Sequence, residues 1–110
     1  MATRTFTIES YEVTLSRKMT YLGGEYYGII VCHGGGYRMG IYFMTPTSMQ
    51  PDNIANTDAR WATIFLPGEL FLWYLNILQN EKPVYAYMNT NKPEWNRLYT
   101  GREPVGEEES

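Results

Sequence analysis

Residues 64–81, Ile64-Phe65-Leu66-Pro67-Gly68-Glu69-Leu70-Phe71-Leu72-Trp73-Tyr74-Leu75-Asn76-Ile77-Leu78-Gln79-Asn80-Glu81, form the one stretch of this chain whose apolar spacing is helical and sustained. Leu66-Pro67-Gly68-Glu69 reads as the helix entrance, since Pro is tolerated in a first turn and an early Glu suits the positive end of the dipole. Lys82-Pro83 reads as the stop. At about 100° per residue, Leu70, Phe71, Trp73, Tyr74, Leu75, Ile77 and Leu78 sweep an arc of roughly 200°. Glu69, Asn76 and Asn80 mark a narrow polar stripe. The arc is wider than one sheet covers, so the helix is expected to pack on its own sheet and on a second surface. In a short chain that surface is a second copy, which predicts a homo-oligomer with Leu72, Trp73 and Ile77 at the contact. The competing reading leaves Leu72 and Trp73 half exposed or under the preceding loop, as monomers tolerate.

Strand-like runs flank this helix. Residues 5–16 alternate through Phe6 and Ile8, then Tyr11, Val13 and Leu15, with a slip near Glu9-Ser10 that suggests a bulge. Arg17-Lys18 and Leu22-Gly23-Gly24 suggest a turn, and residues 26–32 and 37–45 flank His33-Gly34-Gly35-Gly36 as a hairpin. In the second of these strands Tyr37, Met39, Ile41 and Phe43 make the core face, leaving Arg38 and Tyr42 toward solvent or ligand. Residues 46–59 lack either period and read as a loop, of a length usually functional or mobile. Residues 60–66 and 84–90 are strands, and residues 94–99 suggest a short return. The expected fold is α+β: a curved antiparallel sheet of five or six strands with one α-helix, in the order β-β-β-β-α-β. Residues 1–102 make a single domain, followed by an acidic, flexible tail at 103–110.

The totals narrow the class. A chain of 110 residues buries roughly two-thirds of its unfolded surface without staples. Ten Tyr, three Trp and four Phe exceed what a small core needs, so some rings are expected to face a ligand or partner. Cys32 is the only cysteine, the first ten residues lack an apolar signal core, and no apolar run approaches the ~20 residues of a membrane span. The expected location is cytoplasmic. The net charge of −3 divides unevenly: residues 1–102 carry nine bases against eight acids, and residues 103–110 carry four Glu and no base. A near-neutral body gives no electrostatic warrant for nucleic acid and does not exclude it. The tail reads as a solubilising end or as a competitor for a basic groove.

No catalytic constellation emerges. His33-Gly34-Gly35-Gly36 matches an esterase oxyanion loop in letters, but no G-x-S-x-G elbow accompanies it and hairpin geometry accounts for the glycines. Cys32 and His33 are adjacent, so on a strand they point apart, and one Cys with one His excludes the usual zinc sets. Neither glycine cluster is a phosphate loop, and no carboxylate pair suits acid–base work. No enzyme activity, metal or cofactor is expected. What remains is a set of rings and cations, in which flat rings stack on bases and Arg or Lys meets phosphates. The candidate binding residues are Tyr27, Arg38, Tyr42, Arg60, Tyr85, Tyr87, Trp95 and Arg97, from a wider set that includes Arg17, Lys18, Tyr21, Tyr26, Trp61 and Lys92. The opposing reading has the rings filling the core and the cations solvating edges.

The junction Trp61-Ala62-Thr63-Ile64-Phe65-Leu66-Pro67-Gly68-Glu69-Leu70-Phe71, with Leu75 and Leu78 beyond it, resembles the strand-to-helix junction of the Whirly and transcriptional-positive-cofactor families of single-stranded-DNA-binding proteins. The resemblance spans residues 26–80 and is one of element order and apolar pattern. It implies a sheet that grips single strands and a helix that pairs protomers. The first functional expectation is therefore a non-enzymatic single-stranded nucleic-acid-binding module. The alternatives are a protein that sequesters a nucleotide-like ligand at a subunit interface, and a protein–protein interaction module.

Overall fold

The computed structural model describes residues 2–101, so the expected acidic tail lies outside the described residues. The elements run β1 (Thr3–Thr7), β2 (Ser10–Tyr21), β3 (Gly24–Gly34), β4 (Tyr37–Met44), β5 (Ala55–Asn56), β6 (Trp61–Pro67), α1 (Phe71–Asn80), β7 (Val84–Asn89) and β8 (Arg97–Thr100). Among the described residues the fold is α+β with one α-helix and largely antiparallel sheets. The strands divide between two sheets, ordered β1-β7-β8 and β2-β3-β4-β6-β5. One pair, β4 with β6, is parallel.

The slip near Glu9-Ser10 is where the chain leaves one sheet for the other. Ile8 N donates to Val84 O in the smaller sheet, and Glu9 N donates to His33 O in the larger. Which residues face inward is set by a different sheet on each side of this point, so the alternation breaks. Gly34 allows the crossing: a Cβ there would collide with the Thr7 carbonyl oxygen. The glycine run thus does two jobs, since only Gly35 (φ 57°) and Gly36 (φ 82°) form the left-handed two-residue turn. Of the turn expected from Arg17-Lys18 and Leu22-Gly23-Gly24, the reversal falls at Leu22-Gly23, while Arg17-Lys18 lies in a bulge within β2 between Leu15 and Met19.

One cluster joins the sheets. Met39, Ile41 and Phe43 are fully buried, as their shared face requires, together with Ile30, Cys32, Ala62, Ile64, Phe6, Ala86 and Met88. At one end of the larger sheet's inner face Phe6 stacks on Tyr37 with centroids 5.9 Å apart. At the other, Phe71 and Tyr74 meet Phe43 edge-on at 5.1 and 5.9 Å. The smaller sheet therefore covers one half of that face and α1 the other.

Helix α1 starts later than its sequence suggests. Residues 64–67 complete β6, and Gly68–Leu70 make a 3-10 turn before the α-helix proper. Phe71, Tyr74, Leu75 and Leu78, at i, i+3, i+4 and i+7, pack on the core. Leu72 and Trp73 are each 71% exposed, and Ile77 is half-buried. The segment 46–59, expected as a loop, contains β5 and is stitched across β6. Ile54 N donates to Thr63 Oγ1, Thr63 N returns a bond to Ile54 O, and Phe65 N donates to Asn53 Oδ1 at 2.9 Å.

Candidate functional site

The eight candidate residues do not converge on one surface. The period of two along each strand sends them to opposite sides of the sandwich, with the core between. The larger sheet's outer face collects Arg38 and Tyr42, the smaller sheet's outer face collects Tyr85, Tyr87 and Arg97, Trp95 lies in the turn before β8, and Tyr27 and Arg60 belong to neither face.

On the smaller sheet, register sets Tyr87 opposite Thr5 and Arg97, and Tyr85 opposite Thr7 and Tyr99. These six side chains share the face away from the core. The Arg97 guanidinium lies 4.3 Å from the centre of the Tyr87 ring and 5.9 Å from that of Tyr99. The Tyr85 and Tyr99 rings lie 5.2 Å apart. Asn89 Nδ2 donates to the Tyr87 hydroxyl, and Arg97 Nη1 donates to Trp95 O, fixing both groups. Trp95 precedes β8 with Lys92 5.1 Å from its ring centre. Arg97, Tyr99 and Trp95 are exposed, so rings and cations form an open platform.

On the larger sheet the parallel register sets Arg38 beside Trp61, Gly40 beside Thr63 and Tyr42 beside Phe65. Tyr42 is stacked on Phe65 at 5.0 Å and on Tyr21 at 5.1 Å, with Tyr26 edge-on at 4.9 Å. Burial pushes the Tyr42 hydroxyl up to about 12, Tyr21 and Tyr26 add to this, and Arg38 opposes it. A groove of about 270 Å³ runs between Tyr42 and Arg38, lined also by Tyr21, Ile29, Val31 and Trp61. Its floor is Gly40, where a Cβ would stand 3.2 Å from the Tyr42 ring.

Tyr27 is structural: its hydroxyl donates to Gly68 O at 2.8 Å, holding the strand-to-helix junction. Arg60 lies in the turn just before β6 with its guanidinium 5.5 Å from the Tyr37 ring centre. Residues 85 and 87 are legible as one face from sequence alone, but Tyr99 joins them only through the β7–β8 register. Trp61, Tyr21 and Tyr26 join Arg38 and Tyr42 only through pairings remote in sequence. Among the described residues no group of three or more His, Cys, Asp or Glu is placed to hold a metal ion, and no helix is long and apolar enough to cross a membrane. No protein-family model, curated protein or solved structure matches this chain.

Proposed function

We propose that this protein is a non-enzymatic module that binds single-stranded nucleic acid on the outer face of the smaller sheet. The supporting observation is the convergence of Tyr85, Tyr87, Tyr99 and the exposed Arg97 at adjoining register positions on one open face. Such a face offers ring planes to bases and a guanidinium to phosphates without requiring a particular sequence. Fluorescence anisotropy with a labelled oligonucleotide at low salt tests it. Binding is expected to weaken with added salt. Tyr99→Ala and Arg97→Ala are each expected to weaken it about tenfold, as loss of one stacked base or charged contact does. No anisotropy change for the unmodified chain refutes the reading.

The groove on the larger sheet favours a second reading, in which a nucleotide-like ligand lies over Gly40 between Trp61 and Tyr42 with its anion toward Arg38. A saturable rise in Tm with a mononucleotide, lost in Gly40→Val and indifferent to Arg97→Ala, distinguishes it. The geometry thereby gives the two readings different residues to test.

The homo-oligomer is likewise a proposal, supported by the exposure of Leu72 and Trp73. Leu15, 60% exposed on β2, lies beside the start of α1: a Cβ at Gly28 would stand 2.9 Å from Leu15 Cδ2 and 3.8 Å from Phe71 Cδ1. The occupant is a second copy, because a two-fold axis sets one apolar patch against itself. A ten-residue helix, ~15 Å long, is too small by itself for a standard interface of ~800 Å² per partner, so the proposed contact extends to β2.

A further inference from the structure

We propose that Arg4 and Arg60, gathered around Tyr37 beside the β3–β4 turn, form a binding site for a compact oxyanion of the phosphate class. Arg4 Cζ lies 5.0 Å and Arg60 Cζ 5.5 Å from the centre of the same Tyr37 ring. The two guanidinium carbons are therefore no further apart than the sum of those distances. Both arginines are exposed, and among the described residues neither has a carboxylate partner, the ion pairs being Lys18 with Glu25 and His33 with Glu12. Two like charges repel, and a ring face attracts a cation but accepts none of its forked N–H bonds. An oxyanion between them neutralises both charges and accepts those bonds in pairs.

The backbone holds this arrangement in place. Arg60 has φ 66°, in the left-handed region that non-glycine residues rarely adopt. Its N–H donates to Thr57 O and its carbonyl accepts from Arg38 N at 3.0 Å, so the conformation is pinned from both sides. Gly36 leaves room for the side chain to fold back over the turn, since a Cβ there would stand 3.2 Å from Arg60 Nη1. Tyr37 is anchored in turn by its stack on the buried Phe6. A strained residue carrying an uncompensated cation, set against a rigid ring and a second cation, is organised for an anion before one arrives.

The anion has two possible sources, free phosphate and the terminal phosphate of a nucleotide chain, and the test separates them. Thermal unfolding of the full chain is followed against sodium phosphate, with sodium chloride at matched ionic strength as reference. A saturable rise in Tm is expected. Phosphate also stabilises proteins by general exclusion, which does not saturate and is common to all variants. Arg4→Gln and Arg60→Asn are each expected to raise the half-saturating concentration about tenfold, the loss of one charge-assisted contact. Asn tolerates the left-handed conformation, so Arg60→Asn keeps the turn. An equal saturable rise in the double variant, or none in the unmodified chain, overturns the proposal. Tighter binding of a 5′-phosphorylated than a 5′-hydroxyl oligonucleotide, abolished in both variants, assigns the anion to a chain terminus. Saturation by free phosphate without that preference assigns it to the free ion. Arg97→Ala is expected to leave the phosphate response unchanged, so failure of the nucleic-acid platform and failure of this site are distinguishable.

Discussion

At the scale of single residues, the structure holds one strained position with no evident chemical use. Leu22 occupies the first place of the Leu22-Gly23 turn at φ 52° and is half exposed. Asn suits this place far better than a γ-branched side chain. Leu22→Asn is expected to stabilise the fold by about 1 kcal/mol, a rise of roughly 5 °C in Tm by scanning calorimetry. Burial makes a second residue-scale statement. It raises the Cys32 thiol from 9.0 to about 12 and, with Tyr21 and Tyr26, the Tyr42 hydroxyl from 10.0 to about 12. The folded chain keeps these protons at a pH where the unfolded chain has lost them, so the unfolded state binds fewer protons and stability falls as pH rises. Tm is expected to hold below pH 9 and to fall between about 9 and about 12, with Cys32→Ala softening the fall. The same burial keeps the native thiol inert toward alkylating reagents.

At the scale of elements, the helix shows how far periodicity reaches. Its spacing gives a broad apolar arc from Leu70 to Leu78, and of that arc Phe71, Tyr74, Leu75 and Leu78 pack on the core. The remaining apolar residues split, Ile77 being half-buried and Leu72 and Trp73 standing in solvent. Trp73→Glu is expected to convert a homo-oligomer to monomer, measured by light scattering at high micromolar concentration. A monomer from the unmodified chain at that concentration overturns the oligomer proposal. The helix start is legible to within about a turn: residues 60–66 read as a strand and Leu66-Pro67-Gly68-Glu69 as the entrance, and β6 ends at Pro67 with a 3-10 turn before the α-helix begins at Phe71. Parallel pairing to Ile41 and Tyr42 buries Ile64 and Phe65 in the sheet. The stretch 46–59 is a loop apart from the two residues of β5, as its turn formers suggest. It is held against β6 by Asn53 Oδ1, which accepts from Phe65 N, and by Thr63 Oγ1, which accepts from Ile54 N.

At the scale of the whole molecule, Asn96 ties distant segments together. It is buried, its Nδ2 donates to Ile54 O and to Thr63 O at 2.9 Å, and its Oδ1 accepts from Asn89 N. One side chain thus joins the crossover segment and β6 of the larger sheet to β7 of the smaller. Asn96→Ala removes all three of these hydrogen bonds and is expected to cost about 3 kcal/mol in urea unfolding. Asn96→Asp, which keeps the acceptor but aims a carboxylate at two carbonyls, is expected to cost more. The order of residues alone carries the α+β class, the core face of β4, the hairpin at its glycines and a broad apolar arc on the helix. Each of these is a local periodicity that a chain carries wherever it lies. Long-range packing sets the rest: the strands form two sheets, and Tyr85, Tyr87 and Arg97 lie behind Arg38 and Tyr42 rather than beside them. The same packing brings Arg4 to Arg60 around one ring. Strand partners and register depend on contacts between residues far apart in the chain, and no period within a strand encodes them.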